Sequence, residues 1–237
     1  MRYKLFFELE NKKISIQYRK SILSFFKKSL SEYDEVVYEK LYHARNPIKK
    51  AYTFSVFFRN SKFSNNEIIV DSKEMELNVS IADYEIAINL YNAFNHQINK
   101  RFHLDNNSMI LKNITLIPEK QINIEEITIK FMSPLIARQR ENRKDYYFSV
   151  ESEKFLETLR NNIREELKLT NYPIEIADSI KLEKIKGKKT VIKFYEKQME
   201  ATIGIFKLIG NKELLDFLYK AGIGSRRSSG FGMFEII

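Results

Sequence analysis

The sequence predicts an α+β protein made of two tandem ferredoxin-like (RRM-like) domains. Strand-like and helix-like stretches follow the order β-α-β-β-α-β, the split βαβ unit, and the same order returns in the second half. The length of 237 residues allows one large domain or two small ones, and 43% hydrophobic with 13% aromatic content supports real cores. A join near 119–123 gives a first domain of residues 1–120 and a second of 121–237, with no low-complexity linker.

Each element has its own signal. Residues 2–10 alternate, with Tyr3, Leu5, Phe7 and Leu9 on one face of a strand. Ser21 to Leu30 carries Ile22, Leu23, Phe25, Phe26 and Leu30 at helical spacing, and a shorter helix from Asp34 buries Val37 and Leu41. A polar turn from His43 to Lys50 follows, where Pro47 forbids further helix. Tyr52–Phe58 is β-rich, and 67–71 with 75–80 read as a hairpin. Ser80 is placed to cap a long helix with the stripe Tyr84, Ala87, Ile88, Tyr91, Phe94 and Ile98. Met109–Ile117 closes the first unit as a strand.

In the second half, 124–132 alternates and 146–150 is a short strand. Residues 152–168 are helical, with Phe155, Leu159, Ile163 and Leu167 at four-residue steps. Residues 174–185 and 190–195 read as strands joined by a turn at Lys186-Gly187-Lys188-Lys189. A strand over 200–209, a helix capped by Asn211 and ended by Gly222, and a final strand complete the unit.

Lys+Arg 40 against Asp+Glu 31 gives a formal charge of +9, which favours a polyanionic partner, nucleic acid before a membrane surface. Cysteine is absent, excluding disulfides, zinc ribbons and thiol catalysis and suiting a reducing compartment. Neither a signal peptide nor a membrane span is visible, so the chain is expected to be soluble, cytoplasmic and free of membrane contact.

Four of only seven glycines fall between 222 and 232, bracketing Ser225-Arg226-Arg227-Ser228-Ser229. Such a loop can turn amides, hydroxyls and guanidinium groups onto an anion such as phosphate. Neither a dinucleotide fingerprint nor a P-loop fits its spacing. On this reading Gly224, Ser225, Arg226, Arg227 and Ser228 bind RNA. Further basic clusters, Lys27-Lys28, Arg138, Arg140, Arg143 and Lys144, and Lys186, Lys188 and Lys189, could line the same groove; Lys28 is the RNA-binding candidate of the first pair.

Among three histidines, His96 and His103 read as surface or packing residues. His43 sits in an irregular turn with Arg45, Lys49 and Lys50, where proton transfer near neutrality is chemically apt. No convergent set of Asp, Glu and His suggests a metal, and no cofactor is implied. A nuclease without metal requires the 2′-OH of RNA as nucleophile, a general base, a general acid and cations at the phosphate.

The run Gly222-Ile223-Gly224-Ser225-Arg226-Arg227-Ser228-Ser229-Gly230-Phe231-Gly232 resembles the glycine-rich signature of the CRISPR-associated repeat-processing endoribonucleases, the sixth Cas family of the RAMP superfamily. Ser133-Pro134-Leu135-Ile136-Ala137 and Leu41-Tyr42-His43, followed by a Pro-Lys turn and Tyr-Thr-Phe-Ser, resemble other family segments in the same order. The resemblance implies a two-domain ferredoxin-like enzyme that binds CRISPR repeat RNA and cuts the precursor once per repeat without metal. A 5′-hydroxyl and a cyclic or 3′ phosphate would result. It assigns His43 as catalytic, with Lys50 at the scissile phosphate and Lys49 as its competitor. Where members carry a tyrosine in the first helix, this chain has Lys27 or Lys28, so the third role is altered. Other Cas effector subunits are possible partners, and the chain is expected as a monomer or homodimer. Two other readings stay open, a non-catalytic RAMP subunit holding guide RNA and a general RNA-binding module.

Overall fold

Alternation drives the first sheet. Along β1 (Arg2–Leu9), Tyr3, Leu5, Phe7 and Leu9 all turn inward and are buried. The computed structural model describes residues 1–42, 50–64, 66–195 and 197–237. After β1 come β2 (Lys13–Ser15), α1 (Tyr18–Tyr33), α2 (Glu35–Tyr42), β3 (Tyr52–Phe58), β4 (Lys62–Phe63), β5 (Glu67–Ile69), β6 (Glu74–Ile81), α3 (Tyr84–Asn95), β7 (Arg101–Leu104) and β8 (Asn107–Ile117). The sheet order β3-β6-β1-β8-β7 is the antiparallel ferredoxin-like arrangement with β7 added at one edge. Helices α1 and α3 pack together through Phe25 and Phe26 against Phe94, with ring centroids 5.6 and 4.9 Å apart.

The second half repeats the plan with β9 (Glu126–Phe131), β10 (Ala137–Glu141), β11 (Lys144–Phe148), α4 (Phe155–Leu167), β12 (Lys181–Phe194), β13 (Lys197–Ile209), α5 (Lys212–Ala221) and β14 (Phe234–Ile236). Its sheet runs β12-β13-β9-β14, and β10–β11 is a separate hairpin inserted before α4. The fold class is thus two ferredoxin-like units, each with its own apolar core. Asn211 caps α5 as expected, its Oδ1 accepting from the amides of Glu213 and Leu214 at 3.0 and 3.1 Å. Among the described residues no helix is long and apolar enough to cross a membrane.

Several local expectations are corrected. Residues 67–71 do not pair with 75–80. Instead β5 joins β2 and β4 in a small sheet, because β1 and β3 occupy both edges of β6. Ser80 is not a helix cap. It lies in β6, and Asp83 caps α3 by accepting from the Ile86 amide at 3.0 Å. The buried stripe of α3 is Ala87, Leu90, Ala93 and Phe94, while Tyr84 and Ile88 are exposed. The Lys186–Lys189 segment is no turn either. It runs through the middle of β12, while 174–179 form a 3₁₀ turn. Gly187 serves packing, since a Cβ there would stand 2.3 Å from the Phe206 ring.

A buried arginine joins the two units. Arg2 is 3% exposed, and its guanidinium lies 3.9 Å from the centre of the Tyr219 ring. It donates to the Phe234 carbonyl and to Glu235, each at 2.6 Å, and to the Ser80 hydroxyl at 3.1 Å. Ser80 in turn donates to the Lys220 carbonyl at 2.8 Å. Truncation would strand these acceptors, so Arg2→Ala should cost about 2–4 kcal/mol. Thermal unfolding should show a melting point lower by several degrees, with Arg2→Lys between the two because one ammonium cannot reproduce the fork.

Candidate nucleic-acid interface

The glycine-rich loop connects α5 to β14 and is gripped from both units. Within the second unit the amides of Ser225 and Gly232 donate to the carbonyls of Ile136 and Pro134 at 2.8 and 2.9 Å, and Ile223 donates to Gly232 at 2.9 Å. This closeness dictates glycine at 232: with φ at +71°, a Cβ would stand 1.9 Å from the Ile223 oxygen. From the first unit the Thr53 hydroxyl donates to the Phe231 carbonyl at 2.8 Å, and Arg19 Nε donates to the Gly230 carbonyl at 3.2 Å. Much of the loop's amide capacity is therefore spent on holding its shape. What it can still offer an anion is mainly side chains.

The two adjacent arginines separate. Arg227 is 7% exposed, ion-pairs with Glu166 of α4 and donates to the Ala221 carbonyl at the end of α5 at 3.3 Å. Burial pulls its pKa down, opposed by the Glu166 charge. Arg226 takes the left-handed conformation, with φ of 58°, and turns the other way. Its Nη2 donates to the Tyr147 hydroxyl at 3.0 Å and lies 3.5 Å from Asp145 Oδ2. Its buried Nε–H has no acceptor among the described residues.

Asp145 is a hub that sequence reasoning missed. Lys197, Arg226 and Arg138 surround its carboxylate at 3.0, 3.5 and 3.8 Å. The hydrogen bond from Lys197 and the charges of the two arginines hold its pKa below the usual carboxylate range. Strand pairing supplies the signal that could have found it. In the β10–β11 hairpin Arg138 stands opposite Tyr147 and Arg140 opposite Asp145, so these residues share a face. Glu166 was missed too. Asn162 was the third: its side chain accepts from the Arg138 amide at 2.9 Å and donates to its carbonyl at 2.7 Å, tying α4 to β10.

These elements enclose an open cleft of about 620 Å³, reached by Lys50, Arg138, Arg140, Arg226, Ser225 and Ser228. Gly224 and Arg227 form part of its wall, and Glu165 and Glu166 contribute carboxylates, engaged by Lys168 and Arg227 respectively. The predicted groove thus gathers part of the candidate set. Arg143 sits at the exposed tip of the β10–β11 hairpin, and Lys186, Lys188 and Lys189 lie along β12; none of the four lines the cleft. Lys28 faces away as well, its ammonium 5.7 Å from the Phe102 ring centre and 3.6 Å from Glu32. His43 and Lys49 lie outside the described residues.

Lys50 is half-buried, and Lys27 rather than Lys28 accompanies it. The Lys50 and Lys27 ammonium groups lie 4.4 and 5.3 Å from the centre of the Tyr42 ring. Burial first, and the Lys27 charge second, push the Lys50 pKa down. The Tyr42 hydroxyl meets that of fully buried Tyr52 at 3.0 Å, which fixes the ring. Burial raises the Tyr42 pKa to about 12, so the phenol stays neutral near pH 7.

Two ferredoxin-like units gripping a glycine-rich loop beside a basic cleft define the RAMP architecture. Residues 117–236, half of the chain, match the C-terminal region of CRISPR associated protein Cas6, and the protein belongs to that family. Solved structures share the fold. A Cas6-related protein from Pyrococcus furiosus superposes with a TM-score of 0.86 at 22% identity, covering 100% of this chain and 98% of that one. A RAMP protein described as binding different RNA substrates gives 0.85 at 21% identity over 100% and 99%. A Cas6 product complex gives 0.73 at 12% identity over 100% of both chains. No curated protein matches the sequence.

Two outcomes follow from the electrostatics. Arg227→Ala leaves Glu166 without its buried partner and should cost about 2–4 kcal/mol in urea unfolding, whereas Arg226→Ala should leave the unfolding midpoint nearly unchanged. A carboxylate with a lowered folded-state pKa adds stability above its unfolded value and loses it as pH falls through the folded value. Asp145→Asn should therefore lower the melting temperature at pH 7, and the gap from wild type should close as pH drops below about 3.9.

Proposed function

We propose that the protein is a metal-independent endoribonuclease that binds CRISPR repeat RNA and cuts the precursor transcript within each repeat. The 2′-OH before the cut attacks the neighbouring phosphate and the 5′-oxygen leaves. The products are a 5′-hydroxyl and a 2′,3′-cyclic or 3′ phosphate, and the cut releases mature guide RNAs. Residues 1–120 supply the chemistry, and 121–237 supply the loop that holds RNA. The carrying observation is that Lys50 of the first unit and Arg138, Arg140 and Arg226 of the second open onto one cleft. Membership in the Cas6 family supports the repeat as its ligand.

In this reading His43 moves the proton of the 2′-OH or of the leaving oxygen, and Lys50 opposes the charge that grows on the phosphate. A phosphate beside Lys50 would favour the ammonium and reverse the downward push on its pKa. Ser225, Ser228, Arg226 and the hairpin arginines hold the RNA backbone and make binding salt-dependent. Other Cas effector subunits are possible partners after cleavage.

The test is a cleavage assay on repeat RNA in excess EDTA, beside a substrate with 2′-deoxy at the nucleotide before the cut. A single cut in EDTA that the deoxy substitution blocks is expected. His43→Ala should lower the rate about a hundredfold or more with affinity nearly unchanged. Arg226→Ala should weaken binding and reduce the slope of log K against log salt by about 0.7. Tight binding with no cut in any buffer would favour a guide-holding RAMP subunit instead.

A further inference from the structure

Three cations surround the Asp145 carboxylate, but they do not hold it equally. Lys197 reaches it at 3.0 Å, within hydrogen-bond length, while Arg226 and Arg138 stand off at 3.5 and 3.8 Å. The two arginines are thus attracted by its charge without being locked to its oxygens. Arg226 also keeps a donor in reserve, since its buried Nε–H meets no acceptor among the described residues. Both arginines line the cleft, whereas Asp145 does not, and its side chain is only 11% exposed.

Neither arginine needs the carboxylate to stay in place. The Tyr147 hydroxyl accepts from Arg226 at 3.0 Å, and the rings of Tyr147 and Phe194 are centred 5.9 and 6.0 Å from its guanidinium. The Ser225 amide on the Ile136 carbonyl and the Ser229 amide on the Arg226 carbonyl, at 2.8 and 2.9 Å, pin the backbone. Asn162 holds Arg138 at both its amide and its carbonyl. Asp145 therefore gives the arginines negative charge more than it gives them position. An RNA phosphate on the cleft side would draw on the same two guanidinium groups.

We propose that Asp145 competes with RNA phosphate for Arg226 and Arg138, and so sets how tightly the cleft holds an RNA backbone. This role rests on the reading of the cleft as an RNA site and adds a residue that opposes binding there. Any RNA that enters must draw the arginines from a charge that already neutralises them in part. Phosphate contacts carry no sequence information, so the cost falls alike on repeat and unrelated RNA. Sequence-independent binding is the component held in check.

The test measures binding of the full chain to two RNAs of equal length. One is a repeat with 2′-deoxy at the nucleotide before the cut, and the other is an unrelated single strand. Asp145→Asn, alike in shape but uncharged, should bind both about three- to tenfold more tightly, the effect of removing one charge several ångströms from a phosphate. The slope of log K against log salt should steepen by about 0.7. Asp145→Ser should give the same gain, because the charge is removed in both. In a background carrying Arg138→Ala and Arg226→Ala the gain should shrink below about twofold. Glu67→Gln removes an exposed carboxylate paired with Lys13 in the small sheet of the first unit, and should leave both affinities within about twofold. Weaker binding by both Asp145 variants would make the carboxylate a positioning group and overturn the proposal. So would an equal gain without the two arginines, or a gain confined to repeat RNA. A gain in a protein that never cuts would uphold the competition and overturn the nuclease reading. Absence of RNA binding by wild type and variants would overturn both.

Discussion

The passage of the chain through Phe231 and Gly232 is the constraint on which the interface depends. The Ile223 oxygen lies where any side chain at 232 would stand, so two backbone segments touch directly. That contact lets the chain return to form β14 beside β9, and it presents the carbonyls of Gly230 and Phe231 to the first unit. Arg19 and Thr53 take them up. The loop is thereby a shared wall, which is why Lys50 from one unit and Arg226 from the other open onto the same space.

Charge on this protein is sorted rather than spread. Arg2, Arg19 and Arg227 are buried, and the first two lie against the aromatic faces of Tyr219 and Phe231. Guanidinium groups suit such places because they are weakly hydrated and donate in a planar fork. The excess of nine positive charges therefore says little about where RNA would bind. Exposed pairs such as Lys189–Glu200, at 2.9 Å, contribute little to stability and also locally neutralise β12. The cleft keeps its positive character because Arg226 and Arg138 share one carboxylate, Asp145, with Lys197.

Local periodicity carried the fold a long way. The alternation of β1, the aromatic run of β3 and the Asn211 cap all correspond to observed elements, because each depends on near neighbours in the chain. Gly187 misled for a physical reason. A glycine flanked by lysines looks like a turn, while its role is to clear space for Phe206 from the adjacent strand. The hairpin expected over 67–80 failed similarly, since partner choice for β6 is settled by β1 and β3. At the interface, residue types were legible but their destinations were not. Arg226 and Arg227 are equivalent by composition, and with the left-handed backbone at 226 one turns to Tyr147 and Asp145 and the other to Glu166.

The same principle separates Lys27 from Lys28. Adjacent residues on an α-helix point roughly 100° apart, so two neighbouring lysines can be sent to different partners. Phe25 and Phe26 are both buried against Phe94, which fixes the rotation of α1 about its axis. With that rotation set, Lys27 is turned toward Tyr42 of α2 and Lys28 toward Phe102 of β7. The packing of two phenylalanines thus decides which lysine stands beside Lys50. A helical wheel drawn from the sequence shows both as solvent-facing, because it contains neither α2 nor β7.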